Sequence, residues 1–255
     1  GQVIHFVSGT LTIASGSNTS GSIISGGHAE NGGGIYVCAN AILKLDGITI
    51  QDCQAENNGG AIYNQGTVEI IQSNNRTTIQ NCTASIHGGG IYNDGGSLTV
   101  STCDISGCTA TDHAGAIWNK GPLTVTNSTF TNNNANDVGG IYNAAGGSDV
   151  VSIAGCTFTN NSSTGGCGAI GNATNASTMT ITDCNISSSI AGTNGGGLWN
   201  GSTVTLNNVT IENCQALSTG NEQGKGGAIL NNEGWIIING GTFQNNTSRE
   251  GGGVY

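Results

Sequence analysis

Apolar and polar residues alternate in short runs that recur along the whole chain. One unit starts with Gly88-Gly89-Gly90-Ile91-Tyr92-Asn93, in which small residues precede an aliphatic residue, an aromatic residue and an asparagine. Alternation with a period of two is typical of a strand with one buried face. The copies of this unit recur at steps of 24 to 31 residues and centre on Ile35, Ile62, Ile91, Ile117, Ile141, Ile170, Leu198, Ile229 and Val254.

The second half of each unit repeats as well. Leu123, Val125, Ser128 and Phe130 mark its inward positions in one copy, with equivalents before and after. Three short strands per ~27 residues, separated by glycine and asparagine turns, predict one coil of a parallel β-helix. We therefore expect an all-β, right-handed, single-stranded parallel β-helix (a β-solenoid) of about nine coils, with almost no helix.

The repeats predict a single domain over residues 1–255, with an irregular first coil over 1–30 and regular repeats over 31–255. Insertions from Gln72 to Thr77 and from Leu217 to Gly224 are expected to protrude as loops. The glycines predict tight corners where adjacent coils approach closely. An asparagine follows the aliphatic position by two residues, except at Val37. It is expected either to tolerate a left-handed turn or to hydrogen-bond its equivalents in a ladder.

Composition narrows the functional classes. The chain has 45 glycines, 8% charged residues and a net charge of −10. Its five basic residues lie far apart, so we expect no nucleic-acid partner, and anionic membrane surfaces are disfavoured. No apolar run approaches the ~20 residues of a membrane helix, so no membrane insertion is expected. Because the sequence runs from Gly1 to Tyr255 and stops within a repeat, we expect a processed chain or a segment of a longer one.

Asparagine-x-serine/threonine sequons are frequent and permit a secreted, extracellular glycoprotein, although composition alone also produces some of them. They are Asn18, Asn75, Asn81, Asn127, Asn160, Asn161, Asn172, Asn175, Asn185, Asn200, Asn208, Asn245 and Asn246.

The Gly-Gly-Ala-Ile segments at 59–62 and 226–229, with Phe-x-x-Asn at 130–133, 158–161 and 243–246, resemble the repeat of chlamydial polymorphic outer membrane proteins. Similar repeats occur in adhesin-like surface proteins of archaea and other microbes. The resemblance covers essentially the whole chain and implies a right-handed parallel β-helix displayed outside the cell. The chain departs from the pattern where the phenylalanine is isoleucine and where the asparagine is Cys53, Cys82, Cys108 or Cys214.

The cysteines fall into two columns. Cys53, Cys82, Cys108 and Cys214 share one, and Cys103, Cys156 and Cys184 share the other. A coil spacing of ~4.8 Å is within the Cα separation that a disulfide allows. Cys156–Cys184, and one pair among Cys53, Cys82 and Cys108, are therefore candidate disulfides. The alternative is a ladder of buried, reduced thiols. Without a C-x-x-C motif or clustered histidines, no metal site and no cofactor are expected.

The aromatic residues form a third column, broken at Gly171 and Leu230. A stacked ladder could bind sugar rings or contact a partner rod, and it could equally only stabilise the solenoid. Its members are Tyr36, Tyr63, Tyr92, Trp118, Tyr142, Trp199 and Tyr255.

The sequence permits two further functions. Outward hydroxyl columns suit an ice-binding surface, but Lys44, Glu69, Asp104 and Asn185 interrupt them. The columns are Thr99, Thr124, Ser152, Thr180 and Thr205, and Thr49, Thr78, Thr129, Thr157, Thr210 and Thr242. A carbohydrate-active enzyme would need grouped carboxylates. The pairs Asp46 and Asp52, and Asp104 and Asp112, have no basic partner predicted nearby, and His5, His28, His87 and His113 are predicted to share no column.

The sequence thus predicts a non-catalytic, extracellular structural or adhesive β-solenoid at the cell surface. Neither end carries a polar cap, which favours end-to-end or lateral assembly with further copies into a filament. An adhesin would instead bind a glycan or a surface protein along its aromatic or loop-bearing face. A polysaccharide lyase or glycosidase and an ice-binding protein remain the alternatives.

Overall fold

The computed structural model describes residues 1, 3–16, 21–73, 75–218 and 224–255. Over these ranges the chain is all-β, has no helix, and winds parallel strands into a β-solenoid of about eight turns. This confirms the predicted fold class, and the number of turns is close to the expected nine.

Each regular coil contributes four strand segments rather than the three predicted, because a very short fourth strand follows the third strand of the coil. The first ladder holds the strands at the glycine motif: Ile35–Asp46, Ile62–Asn64, Ile91–Asn93, Ile117–Asn119, Ile141–Asn143, Ile170–Asn172, Leu198–Asn200 and Ile229–Asn231. The second holds Ile4–Ala14 and the later part of Ile35–Asp46, then Thr67–Ile71, Ser97–Ser101, Leu123–Thr126, Val151–Ala154, Met179–Thr182, Thr203–Glu212 and Trp235–Gln244.

The third and fourth ladders complete the coil. The third holds Ile23–Ser25, Thr49–Gln51, Thr77–Gln80, Cys103–Ser106, Thr129–Thr131, Thr157–Thr159 and Asn185–Ser187, and it continues in the two long strands that end at Glu212 and Gln244. The fourth holds His28–Asn31, Gln54–Asn58, Thr83–Ala84, Thr109–Ala110, Asn134–Ala135, Ser162–Ser163, Ile190–Ala191, Gln215–Ala216 and Thr247–Ser248.

Equivalent residues of neighbouring coils pair with each other. Ile62 pairs with Ile91, and Ile91 pairs with Ile117, in parallel register. All three are fully buried and belong to one hydrophobic cluster that runs from Ile24 to Ile229. Each coil therefore covers the apolar face of the next, which is how a solenoid is stabilised.

The first coil is more regular than expected. Its strand Ile4–Ala14 pairs with Ile35–Asp46 from Ile4–Ile35 to Ala14–Asp46, with one irregularity between Phe6 and Ser8. Residues 17–20, within the serine-rich run that suggested irregularity, lie outside the described residues. The same is true of position 74 in the first predicted insertion and of 219–223 in the second.

A glycine at the corner allows coils to approach closely. A Cβ on Gly89 would lie 2.5 Å from the carbonyl oxygen of Thr109 and 2.6 Å from that of Gly115, both in the next coil. Such distances are far below van der Waals contact, so any side chain would push the coils apart. This confirms the predicted role of the glycine motif.

The asparagines that lie two residues after the aliphatic position form a side-chain ladder, as one of the two predictions stated. Each Nδ2 donates to the Oδ1 of the next asparagine at 2.7 to 3.1 Å. These residues are extended and lie in strands, so the left-handed alternative is wrong for them. The left-handed conformation belongs instead to other corner residues, such as Asn81 and Asn132, with φ of 53° and 56°. The ladder consists of Asn64, Asn93, Asn119, Asn143, Asn172, Asn200 and Asn231.

Candidate functional site

The aromatic column lies outside the core, one residue after the buried aliphatic column. Tyr36 and Tyr63 stack with ring centroids 4.8 Å apart, Tyr63 and Tyr92 at 5.2 Å, and Tyr92 and Trp118 at 4.3 Å with planes 4° apart. The predicted ladder is therefore stacked from Tyr36 to Trp118, and Tyr142 and Trp199 continue the column in strand register. His5, which sequence analysis left out, extends it by stacking on Tyr36 at 4.9 Å.

Hydrogen bonds hold the tyrosine hydroxyls. Tyr63 Oη donates to Asp94 Oδ2 at 2.6 Å, Gln65 Nε2 donates to the same oxygen at 3.1 Å, and Tyr36 Oη donates to Gln65 Oε1 at 3.0 Å. Burial raises the pKa of Tyr63, and the hydrogen bond to Asp94 raises it further. Burial also raises the pKa of Tyr92 to about 12. The rings are therefore neutral, fixed planes at any ordinary pH.

The column loses a ring twice, at Gly171 and at Leu230, and a recess lies beside each gap. Tyr142 pairs with Gly171, which pairs with Trp199, and Trp199 pairs with Leu230. Beside the first gap is a cleft of about 280 Å³ lined by Asp137, Val138, Gly166, Cys167, Thr193, Asn194 and Trp199. Beside the second is one of about 230 Å³ lined by Asn194, Trp199, Lys225, Leu230, Asn231, Asn232 and Tyr255. Trp199 lines both clefts.

Two histidines lie beside the ladder, in contrast to the prediction that no histidines share a column. His87 and His113 pair across adjacent coils. Both precede the aliphatic position of their repeat by four residues, which is the signal that sequence analysis missed. His87 lies nearly parallel to Trp118 at 5.6 Å, and the ring of His113 is tilted against Tyr142 at 4.9 Å.

Acidic side chains surround His113. Its Nδ1 lies 3.0 Å from Asp112 Oδ2, and its Nε2 lies 3.3 Å from Asp137 Oδ2. Burial raises the pKa of Asp137, with Asp112 adding to the effect and His113 opposing it. Burial lowers the pKa of His87, His113 lowers it further, and Asp112 opposes the shift.

Asp104 does have a basic partner in a neighbouring coil, so that prediction is also wrong. Arg76 Nη2 lies 2.7 Å from Asp104 Oδ1, and Thr129 Oγ1 donates to the same oxygen at 2.6 Å. Lys44 and Glu69 form a second pair at 2.8 Å. The hydroxyl columns do stack, as Thr99 with Thr124 shows. Ion pairs interrupt both of them, so neither is the uninterrupted hydroxyl array that an ice-binding surface would use.

All nine cysteines are free thiols in the structure. Cys156 lies directly over Cys184, whose Sγ is 3.3 Å from the Cys156 backbone nitrogen. Six of the thiols contact the carbonyl oxygen two residues earlier, at 3.3 Å for Cys53 and 3.2 Å for Cys184; they are Cys53, Cys82, Cys108, Cys156, Cys184 and Cys214. Ser128 makes the same bond from its hydroxyl at 2.8 Å. The stacked thiols thus act as turn caps, while the disulfides remain a prediction.

The structure divides the sequons by exposure. Asn161, Asn172 and Asn200 are fully buried, with their amides in hydrogen-bonded ladders, so the folded chain has no room for a glycan on them. Asn246 is half-buried and bonds to the Cys214 backbone. Asn18 lies outside the described residues. The exposed sequons are Asn75, Asn81, Asn127, Asn160, Asn175, Asn185, Asn208 and Asn245.

Comparisons of the chain with models of protein families, with curated proteins and with solved structures find no match. The class of protein is therefore defined by the structure alone. It is a parallel β-solenoid with an interrupted aromatic ladder along one face. The resemblance to the polymorphic outer membrane protein repeat stays a prediction. Nowhere in the described ranges is there a helix of the length and apolarity needed to cross a membrane.

Proposed function

We propose that this chain is a non-catalytic, extracellular β-solenoid that binds neutral carbohydrate chains along its aromatic face. The observation that carries the proposal is the aromatic column, which lacks a ring at Gly171 and at Leu230. The Val138 side chain and the Tyr142 ring cover Gly171, at 2.7 Å and 3.1 Å from where a Cβ would be, so the gap itself is filled. The cleft beside it, of about 280 Å³, is lined by Trp199, whose neighbours in the column, Gly171 and Leu230, are not rings. An unstacked indole in a cleft of this size suits one pyranose ring.

The cleft beside Gly171 is the better of the two sites. Leu230 fills part of the second gap and is only 6% exposed, and the cleft beside Gly171 is the larger, at about 280 Å³ against about 230 Å³. Trp199 forms one wall of the first cleft, and Asp137, Thr193 and Asn194 add polar groups beside it. An apolar plane combined with a few polar side chains matches the apolar face and hydroxyl rim of a sugar.

Charge favours a neutral ligand. The chain carries a net charge of −10, and the first cleft contains the Asp137 carboxylate. Uronic-acid and sulfated polysaccharides would be repelled by this potential. The ladder also continues over many coils, which suits a polymer better than a single sugar. The eight exposed sequons support a location outside the cell, where neutral polysaccharides occur.

Isothermal titration calorimetry with neutral β-1,4-linked hexasaccharides of glucose, mannose, xylose and N-acetylglucosamine tests the proposal. We expect saturable binding of at least one, weakened roughly tenfold by Trp199→Ala through loss of stacking. Trp235→Ala is the matched control, because Trp235 is 77% exposed and lies outside the ladder. No binding of any sugar, or equal losses in both variants, would refute the proposal.

A carbohydrate-active enzyme is the second candidate, because the acids are less scattered than expected. Asp137 lines the first cleft and contacts His113, which in turn contacts Asp112. Paired carboxylates beside a sugar site are what glycosidases use. Release of reducing ends from the same hexasaccharides, abolished by Asp137→Asn, would replace the binding-only proposal with this one.

Assembly with further copies is the structural part of the proposal. Leu11 and Ile13 of the first coil lie in the same two inward columns as Ile236 and Ile238 of the last long strand. Ile238 is 42% exposed. A second copy could therefore continue both columns through an open strand edge. Analytical ultracentrifugation should show concentration-dependent association that Ile238→Lys abolishes and Thr124→Lys, on a central coil, retains. A wild-type chain that stays monomeric at high concentration would contradict it.

A further inference from the structure

Three side chains from two adjacent coils converge beside the aromatic ladder. His87 Nδ1 lies 3.8 Å from Asp112 Oδ2, and His113 Nδ1 lies 3.0 Å from the same oxygen. One ligand atom from each of the three residues lies within 4.8 Å of the other two. Two ligands bonded to one tetrahedral ion at ~2.0 Å lie ~3.3 Å apart. The observed separations bracket that value.

Both imidazole nitrogens lack a hydrogen bond. Nδ1 of His87 and Nδ1 of His113 are buried atoms without a hydrogen-bond partner among the described residues. The 3.0 Å contact between His113 and Asp112 is therefore close in distance but does not have hydrogen-bond geometry. Buried polar atoms without partners are rare in folded proteins. Here both lie within 4 Å of the same carboxylate oxygen.

A carboxylate and two aromatic rings flank the two imidazoles. Asp137 Oδ2 lies 3.3 Å from Nε2 of His113, so a proton on Nε2 leaves the lone pair on Nδ1. A carboxylate behind a histidine is the arrangement that orients metal-binding imidazoles. His87 lies beside the stacked pair of Tyr92 and Trp118, nearly parallel to both rings.

We propose that His87 Nδ1, His113 Nδ1 and Asp112 Oδ2 bind one divalent transition-metal ion of the zinc, nickel or copper type. Two imidazoles with one carboxylate select such ions over calcium and magnesium, which prefer oxygen ligands. The three side chains are 23%, 29% and 46% exposed, so an ion can reach them and keep a solvent-facing position. The site joins adjacent coils, and it does not depend on the carbohydrate proposal.

Zinc chloride added to the full chain at neutral pH is the probe, with binding measured by calorimetry and stoichiometry by elemental analysis. We expect one zinc per chain and a rise in melting temperature. His87→Gln and His113→Gln should each lower affinity at least tenfold. Asp137→Asn should lower it roughly tenfold through the orientation of His113. Circular dichroism of each metal-free variant checks that the solenoid remains folded.

Two controls separate this site from other metal-binding groups. His28→Gln removes an exposed histidine that lies 3.7 Å from Glu56, and Cys38→Ser removes the thiol that lies 3.4 Å from His5. Neither change should alter zinc affinity. Cobalt(II) should bind without a sulfur-to-metal charge-transfer band. No zinc binding, or binding lost in Cys38→Ser and retained in both histidine variants, would overturn the proposal.

Discussion

Asn93 donates a hydrogen bond from Nδ2 to Oδ1 of Asn119 at 2.7 Å, although 26 residues separate them along the chain. The same nitrogen also donates to the Gly96 carbonyl oxygen at 2.7 Å, so it closes its own turn as well. Both residues are fully buried. Each rung therefore fixes a turn within one coil and the register between two coils.

Removing one rung should destabilise the chain strongly. Asn119→Ala leaves the amides of Asn93 and Asn143 without their partner in a buried site, so we expect a loss of ~2–3 kcal/mol. Asn239→Ala is the control, because Asn239 donates to Asn207 across coils at 2.9 Å but in an exposed position. Its effect should be within ~0.5 kcal/mol. Denaturant unfolding measures both, and equal effects would show that the ladder does not stabilise the coil.

A side chain at the corner glycine should force coils apart. Gly89→Ala places a Cβ against two backbone carbonyl oxygens, and we expect a loss of ~1–3 kcal/mol. Gly146 has no atom within 4 Å of an added Cβ, so Gly146→Ala should change stability by no more than ~0.5 kcal/mol. Thermal unfolding of the two variants, side by side, checks the prediction. A Gly89→Ala chain as stable as the wild type would contradict the close approach.

The Arg76–Asp104 pair should make stability depend on pH. Burial would raise the pKa of Asp104, but the hydrogen bonds from Arg76 and Thr129, with the guanidinium charge, outweigh burial and lower it. A lowered pKa stabilises the fold above the unfolded-state value, and this contribution disappears as pH falls through the folded-state pKa.

Arg76→Met should therefore cost ~0.5–1 kcal/mol at pH 7, since both side chains are about one-third exposed. The difference from the wild type should vanish in acid. In an Asp104→Asn background, Arg76→Met should have little further effect at any pH. A cost that is the same at neutral and acidic pH would show that packing rather than charge is responsible.

The cysteines should differ sharply in reactivity. Cys38 is half-exposed, whereas the other eight are buried. Burial raises the pKa of Cys103 and of Cys167, and that of Cys214 rises to about 11. Iodoacetamide should therefore label Cys38 in the native chain and all nine cysteines after unfolding without reductant. A peptide that joins Cys156 to Cys184 in non-reducing mass mapping would instead establish the disulfide.

Much of the fold could be predicted because the solenoid repeats every side-chain environment. Fixed spacing placed Ile62, Ile91 and Ile117 in one column, and the structure pairs them. The asparagine and aromatic columns follow from the same spacing. The short fourth ladder was missed because two-residue strands such as Thr83–Ala84 carry no alternation to detect.

The site was harder to predict because it depends on single coils rather than on the repeat. His87 and His113 share an offset that only two coils fill with histidine, so no periodic signal marked them. Asp137 fills the same offset in the next coil, four residues before Ile141, so the spacing places it beside His113. The contacts of Asp112 depend on side-chain directions at a corner, which spacing does not define. For the sequons Asn172 and Asn200 the repeat was a better guide than the local motif. The sequon suggested an exposed side chain, but both residues belong to the asparagine ladder and are buried.

Fluorescence of Trp199 gives the most direct test of carbohydrate binding by the aromatic face. In a Trp118→Phe/Trp235→Phe chain, Trp199 is the only remaining tryptophan, and phenylalanine keeps an aromatic ring at position 118 of the ladder. Titration with the neutral β-1,4-linked hexasaccharides should shift its emission to shorter wavelength and saturate, as a sugar ring displaces water from the cleft. An emission spectrum unchanged by every sugar, from a chain that remains folded, would contradict the account.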